Sequence, residues 1–317
     1  MDSPPQAPPG DPRVAGPVRP RRSAFRRLRA LAPAVLVLLV LAYFGISYLA
    51  ADLLTRPTNH ADAIDARLVS PRAVAWSSRT ADGLTLRGWY CPTQGHRRLI
   101  VLVHGMGASW DKMAAIGRAL HGRGYSILLF DLRGHGRSDP ARLSMGRRER
   151  EDIRAVLAWA GAEGYTPDRI GWLGHSLGAS TLLLEAARNP DIQVAVMDSP
   201  FGDLPDLLDR QLPKHSHLPR WFNPGILFVA HRAFGVRTDD LRPIRLASAW
   251  GTRPLLLIHG ESDSIVPVRQ AYALADALGP ACESIVLPGV EHVRAFRANP
   301  SGYVSRVDGF FDEHLAR

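Results

Sequence analysis

A serine, a histidine and a choice of carboxylates in this chain have the types and spacing needed to cleave an acyl bond. Ser176 lies in Gly174-His175-Ser176-Leu177-Gly178, between "RIGWLGH", which reads as a strand, and "LGASTLLLEAAR", which reads as a helix. G-x-S-x-G between a strand and a helix predicts a sharp elbow: the serine takes strained backbone angles, and a Cβ at either flanking glycine would clash. The blander reading makes Ser176 the N-cap of the helix and nothing more. A serine hydroxyl is a poor nucleophile at neutral pH, so it needs a base, and the base needs an orienting acid. Of the twelve histidines, His292 in "IVLPGVEHVRAF" is the one at a strand end late enough in the chain, since His314 falls in the final helix. Glu261 and Asp263 in "HGESDSIVP" are both candidates for the acid, and Asp198 after "VAVM" is a third. The oxyanion of such a reaction needs donors already in place. The backbone N–H of Leu177 and that of Met106, directly behind His104-Gly105 in "HGMGAS", are the predicted pair.

Those residues need elements that end in the right places. Continuous apolar runs at 97–105, 125–131, 169–175, 194–199, 254–260 and 282–289 read as strands, with helical patterns near 109–122, 148–163, 177–188, 267–278 and 302–315. Apolar strands separated by helices predict an α/β fold: a mostly parallel central sheet with helices on both faces, its active site at the C-terminal strand ends. An antiparallel hairpin is expected before them, in "RAVAWSSRTADGLTLRGWYC", around an Asp82-Gly83 turn. Residues 201–250 are longer than a simple crossover and predict a small helical cap, in which Trp221, Phe222, Phe228 and Phe234 serve as packing.

With these motifs in order, the sequence resembles the serine-hydrolase branch of the α/β-hydrolase superfamily over about residues 72–317. The stretches that carry the likeness are "LVHGMG" at 102–107, "FDLRGHGRSD" at 130–139, "GHSLG" at 174–178, "HGESDSIVP" at 259–267 and "EHVRAF" at 291–296. The resemblance implies Ser176 as nucleophile, Asp263 as the acid, His292 as the base, and Met106 and Leu177 as oxyanion donors. It implies only a structural role for the loop at Asp131 to Gly136. Ser176 argues against the relatives with an aspartate nucleophile. One departure is Glu291 before His292, where relatives usually have glycine; that carboxylate either acts on the base or faces solvent. An esterase or lipase working through an acyl-enzyme is the expected function, with a peptidase or acyltransferase on the same triad, or a non-catalytic binding module, as alternatives.

No cofactor is expected: "GMGASW" lacks the third glycine of a dinucleotide fingerprint, and no Walker A pattern occurs. No metal is expected either, because His215 and His217 form an H-x-H without a third ligand. The formal charge of +9 is concentrated at the start, where seven arginines against two aspartates in residues 1–30 carry +5 of it. Next to them, residues 30–51, "ALAPAVLVLLVLAYFGISYLAA", contain no charge in 22 positions and are long enough for a single transmembrane helix. A cleaved signal peptide would have a shorter apolar region and small residues where Tyr48 and Leu49 stand. The arginines therefore read as a topology determinant that keeps the N-terminus cytoplasmic and the catalytic domain outside the cell membrane, rather than as a twin-arginine signal or a nucleic-acid site. The expected organisation is a disordered basic tail at 1–29, the membrane helix at 30–51, a linker at 52–71 and the hydrolase domain at 72–317. Its expected substrate is a small-molecule or lipid-like acyl compound, and Cys91 and Cys282 are expected as free buried thiols.

Overall fold

The computed structural model describes residues 22–61, 64–94, 98–238 and 241–316, with side chains from residue 31 onward. The expected disordered tail lies mostly outside them. The chain divides into two units, residues 1–45 and 46–317. In the first, helix α1 (Arg22–Thr55) begins; its described residues expose one leucine or valine after another, as in Leu36 at 62% and Leu41 at 64%. Among the described residues nothing in that unit covers this apolar surface, and the helix is long and apolar enough to cross a membrane.

The second unit is built on an eight-stranded sheet. Its strands are β1 (Val74–Arg79), β2 (Thr85–Cys91), β3 (Leu99–Val103), β4 (Ser126–Phe130), β5 (Ile170–His175), β6 (Val194–Asp198), β7 (Leu255–Gly260) and β8 (Cys282–Leu287). Their spatial order is β8-β7-β6-β5-β3-β4-β2-β1. The pairs from β4 to β8 are parallel, whereas β1 and β2 form the antiparallel hairpin, with Gly83 at φ 91 in its turn. Burial explains the apolar runs. In β3, Leu99, Val101 and Val103 face one core, while Ile100 and Leu102 face the other. The first core is closed by α3 (Arg150–Ala162), α4 (Leu177–Ala186) and the later helix Arg269–Leu278, the second by α2 (Ala114–His121) and the C-terminal helix Pro300–His314. A sheet buried on both faces needs apolar residues at every position, so its strands show no alternation.

One expectation is corrected. Residues 52–71 are not a free linker: α1 continues to Thr55, and its last turns are buried at Ser47 and Ala51. Asp52 accepts from Arg142 at 2.5 Å, Arg142 also donates to Thr55 Oγ1 at 3.0 Å, and Tyr48 packs on Phe234. Beyond the helix, Thr58 and His60 donate backbone N–H groups to Gly134 and Gly136. The cap between β6 and β7 contains α5 (Leu204–Ser216) and α6 (Asn223–Phe234). Of its aromatic residues Phe222 is buried and Trp221 stacks on it with ring centroids 4.0 Å apart, while Trp221 and Phe228 still keep 62% and 55% of their surface exposed. Cys91 is buried and Cys282 half-buried, on opposite flanks of the sheet.

Candidate active site

Ser176 sits where β5 turns into α4, with φ 50 and ψ −113. Those angles cost a non-glycine residue on the order of 1–3 kcal/mol and persist only where the surroundings enforce them. Here the Ser176 N–H donates to the Asp198 carbonyl at 2.8 Å, and both flanking glycines are required by contact. A Cβ at Gly174 would stand 2.6 Å from Ala179, and one at Gly178 would stand 2.4 Å from the Val103 carbonyl. The Ser176 side chain makes no capping hydrogen bond to its helix. Its Oγ lies instead 3.0 Å from His292 Nε2.

His292 reaches the serine from the loop after β8, and its other nitrogen, Nδ1, is 2.6 Å from Asp263 Oδ2. The carboxylate is fully buried as a side chain and is held from behind, where Oδ1 accepts N–H groups of Ile265 at 2.9 Å and Val266 at 2.7 Å. His259 donates from Nε2 to the Val266 carbonyl and stands 3.3 Å from the same carboxylate. Of the three acids open in the sequence, Asp263 alone meets the imidazole. Glu261 turns to the Gly289 N–H at 3.4 Å. Asp198 lies in the layer beneath, 3.7 Å from His175. Burial pushes Asp198 up to about 6 and holds His175 down at about 3, so that imidazole is neutral. Glu291 faces away from the base, accepting from the Ser264 N–H and hydroxyl.

Ser199 was not legible as a site residue. Its hydroxyl donates to Asp198 Oδ1 and accepts the N–H of Val293, the residue after His292. Ser199 and Val293 are both left-handed, at φ 55 and φ 54. A β-branched residue in that region is unusual, and this bond helps hold the histidine loop in place.

The predicted oxyanion donors lie alongside. Gly105 lets the "HGMG" loop approach so closely that its Cβ would be 3.3 Å from Ser176 Cβ. Among the described residues neither the Met106 nor the Leu177 N–H has a hydrogen-bond partner, and Leu177 opens α4, where the helix dipole favours negative charge. His135 sets the loop's shape by accepting the Gly107 N–H at 3.1 Å, while His104 accepts from Leu132. Burial lowers both imidazoles to about 4, which suits nitrogens that must stay unprotonated to accept. The structural role implied for residues 131–136 thus has a physical content: that loop is hydrogen-bonded to the "HGMG" loop beside Ser176.

A family model described as serine aminopeptidase, S33, matches residues 94–240. The uncharacterized protein Rv2307c of Mycobacterium tuberculosis is 35% identical over 216 residues, covering 67% of this chain and 70% of that one. The esterase Pf2001 of Pyrococcus furiosus superposes with a TM-score of 0.68 at 25% identity, over 82% of this chain and all of the esterase. The chain belongs to the α/β-hydrolase superfamily of serine hydrolases. A monoacylglycerol lipase of Mycolicibacterium smegmatis is also similar, 25% identical over 237 residues, covering 64% of this chain and 84% of the lipase.

Two cavities of the hydrolase meet at Ser176. One, of about 140 Å³, is apolar, lined by Met145, Leu177, Phe201, the α5 residues Leu204 and Leu208, and Leu54 from the last turn of α1. The other, of about 440 Å³, contains His292 and is bordered by Lys112, Arg294 and Arg297. His215 lines the apolar cavity, and His217 is the left-handed residue that ends α5.

Proposed function

We propose that this hydrolase is a membrane-anchored carboxylesterase acting on lipid-like esters through an acyl-enzyme. Ser176 is the nucleophile, His292 the base, Asp263 the acid that orients it, and the N–H groups of Met106 and Leu177 receive the oxyanion. The observation that carries this reading is the unbroken chain from Ser176 Oγ through His292 to Asp263, at 3.0 and 2.6 Å. Ser176 Oγ bonds to the acyl carbon while His292 takes its proton. The carbon–oxygen bond to the alcohol then breaks, and the alcohol oxygen leaves with the electron pair and receives that proton. Water adds to the acyl carbon with His292 again as base, releasing the acid and the free serine.

Ester rather than amino-terminal peptide cleavage follows from the apolar cavity. An aminopeptidase holds a positively charged α-amino group on the acyl side of the scissile bond, which calls for a carboxylate there. No aspartate or glutamate lines that cavity among the described residues. The membrane reading is supported by the exposed apolar face of α1 and by the arginines before it, a positive bias that favours a cytoplasmic N-terminus and an outward hydrolase domain. Exposed Trp221 and Phe228 on the cap suit work at a lipid surface.

A fluorophosphonate probe tests the chemistry: the full chain labels and Ser176→Ala does not, and a folded but unlabelled wild type refutes it. Short-chain p-nitrophenyl esters against an aminoacyl anilide test bond preference, with faster anilide cleavage overturning the esterase reading. Reporter fusions after residue 60 test topology, and a signal from a cytoplasm-only reporter overturns it.

A further inference from the structure

Resting on that esterase reading, we infer that the leaving group is an anionic alcohol of the phosphorylated-glycerol kind, seated among Lys112, Arg294 and Arg297. His292 decides which part of the ester goes where. The histidine must protonate the departing oxygen, so the alcohol occupies the cavity that His292 lines. His292 borders the larger cavity and not the apolar one. The acyl chain accordingly enters the apolar cavity beside Leu54 and Leu208, and the alcohol faces the three cations.

Those cations are weakly compensated. Lys112 shares Asp111 at 3.3 Å, and that carboxylate also accepts from Ser109. Arg294 and Arg297 have no carboxylate partner among the described residues, since Glu291 is turned to Ser264. Two unpaired guanidiniums and an ammonium lining the cavity at His292 raise the local concentration of an anionic substrate, and the guanidiniums can bind two phosphate oxygens at once through paired N–H donors. A neutral glycerol in the same place would leave them facing water. The substrate is then a single-chain acyl ester with a negatively charged head, its charge set by the arginines and its chain by the cap.

The test compares two esters with the same acyl chain, dodecanoyl-lysophosphatidic acid and monododecanoylglycerol, hydrolysed by the full chain in mixed micelles. Two cations exposed to solvent are expected to favour the phosphate ester about five- to tenfold in kcat/KM. That ratio collapses toward one in Arg294→Gln/Arg297→Gln and in high salt, and persists in Arg294→Lys/Arg297→Lys. A wild-type ratio near one, or a ratio the glutamine pair leaves intact, overturns the anionic head while the esterase reading stands. Labelling by the fluorophosphonate without turnover of either ester also overturns the head-group assignment and leaves the nucleophile. Absence of both labelling and turnover sinks the esterase reading itself.

Discussion

Asp263→Asn tests the proposed triad most sharply, because the surroundings of the side chain dictate how an amide must sit. One carboxylate oxygen accepts two backbone N–H groups, from Ile265 and Val266, and the other accepts from His292 Nδ1 at 2.6 Å. An asparagine that turned its NH2 toward the loop would leave two donors unsatisfied in a buried pocket, at a cost of about 1–3 kcal/mol each. Turned the other way, it keeps both loop bonds and presents NH2 to the imidazole. The second orientation wins, and its cost falls on the histidine. Nδ1 must then accept, so the proton moves to Nε2, which faces Ser176 Oγ at 3.0 Å and can no longer take the serine proton. A fall in kcat of roughly 10³- to 10⁴-fold is expected, equivalent to about 4–5.5 kcal/mol of transition-state stabilisation. The assay is the initial rate with p-nitrophenyl butyrate near pH 7.5, with KM within about threefold of wild type because Asp263 lines neither cavity. A kcat within tenfold of wild type would refute the orienting role. The matched control is Asp198→Asn, which removes a carboxylate without a contact to His292 and retains most of the activity; the reverse pattern would make Asp198 the acid.

Asp198→Asn has its own pH signature. Burial raises Asp198 from 3.8 to about 6, so its protonated form is favoured on folding, and wild-type stability from this group is lost as pH rises from 3.8 to 6. The variant escapes that loss. Its melting temperature relative to wild type should be higher near pH 7.5 than near pH 4.5 by about 5 °C, or about 2 kcal/mol, and an equal offset at both pH values contradicts the buried-charge account. Gly260→Ala places a Cβ 2.2 Å from the Val290 carbonyl, between the strand leading to Asp263 and the loop carrying His292. Misplacing the base by about 1 Å lowers kcat roughly 10²-fold, whereas Gly105→Ala, with its nearest contact at 3.3 Å, stays within about tenfold; wild-type rates in Gly260→Ala would be incompatible with this packing. Leu208→Trp fills the apolar cavity, so kcat/KM for p-nitrophenyl octanoate should fall about tenfold or more relative to the acetate, and an unchanged ratio shows that the chain goes elsewhere.

The sequence made the strands and the elbow legible because their causes are local. A strand buried on both faces must be apolar at each position, and the glycines beside Ser176 answer contacts made within the same strand-turn-helix and the adjacent β3. Which carboxylate meets His292 was not legible from residue type, since Glu261 and Asp263 share one loop and differ in what faces them. Two amides of the turn at Ile265 and Val266 fix Asp263 toward His292, and only the folded loop shows it. Ser199 escaped notice for the same reason: its partner Val293 is 94 positions away. Residues 52–71 read as a linker because they are short of apolar runs, yet Asp52 and Thr55 are tied to Arg142, up to 90 positions on. That last tie has a functional consequence. Leu54 stands in the helical turn that Arg142 clamps, and it forms one wall of the apolar cavity at Ser176. In the proposed anchored enzyme, the last turn of α1 therefore also lines the cavity proposed for the acyl chain. The apolar cavity then begins beside the anchor's last turn, which suits a lipid substrate better than one that diffuses in from solution.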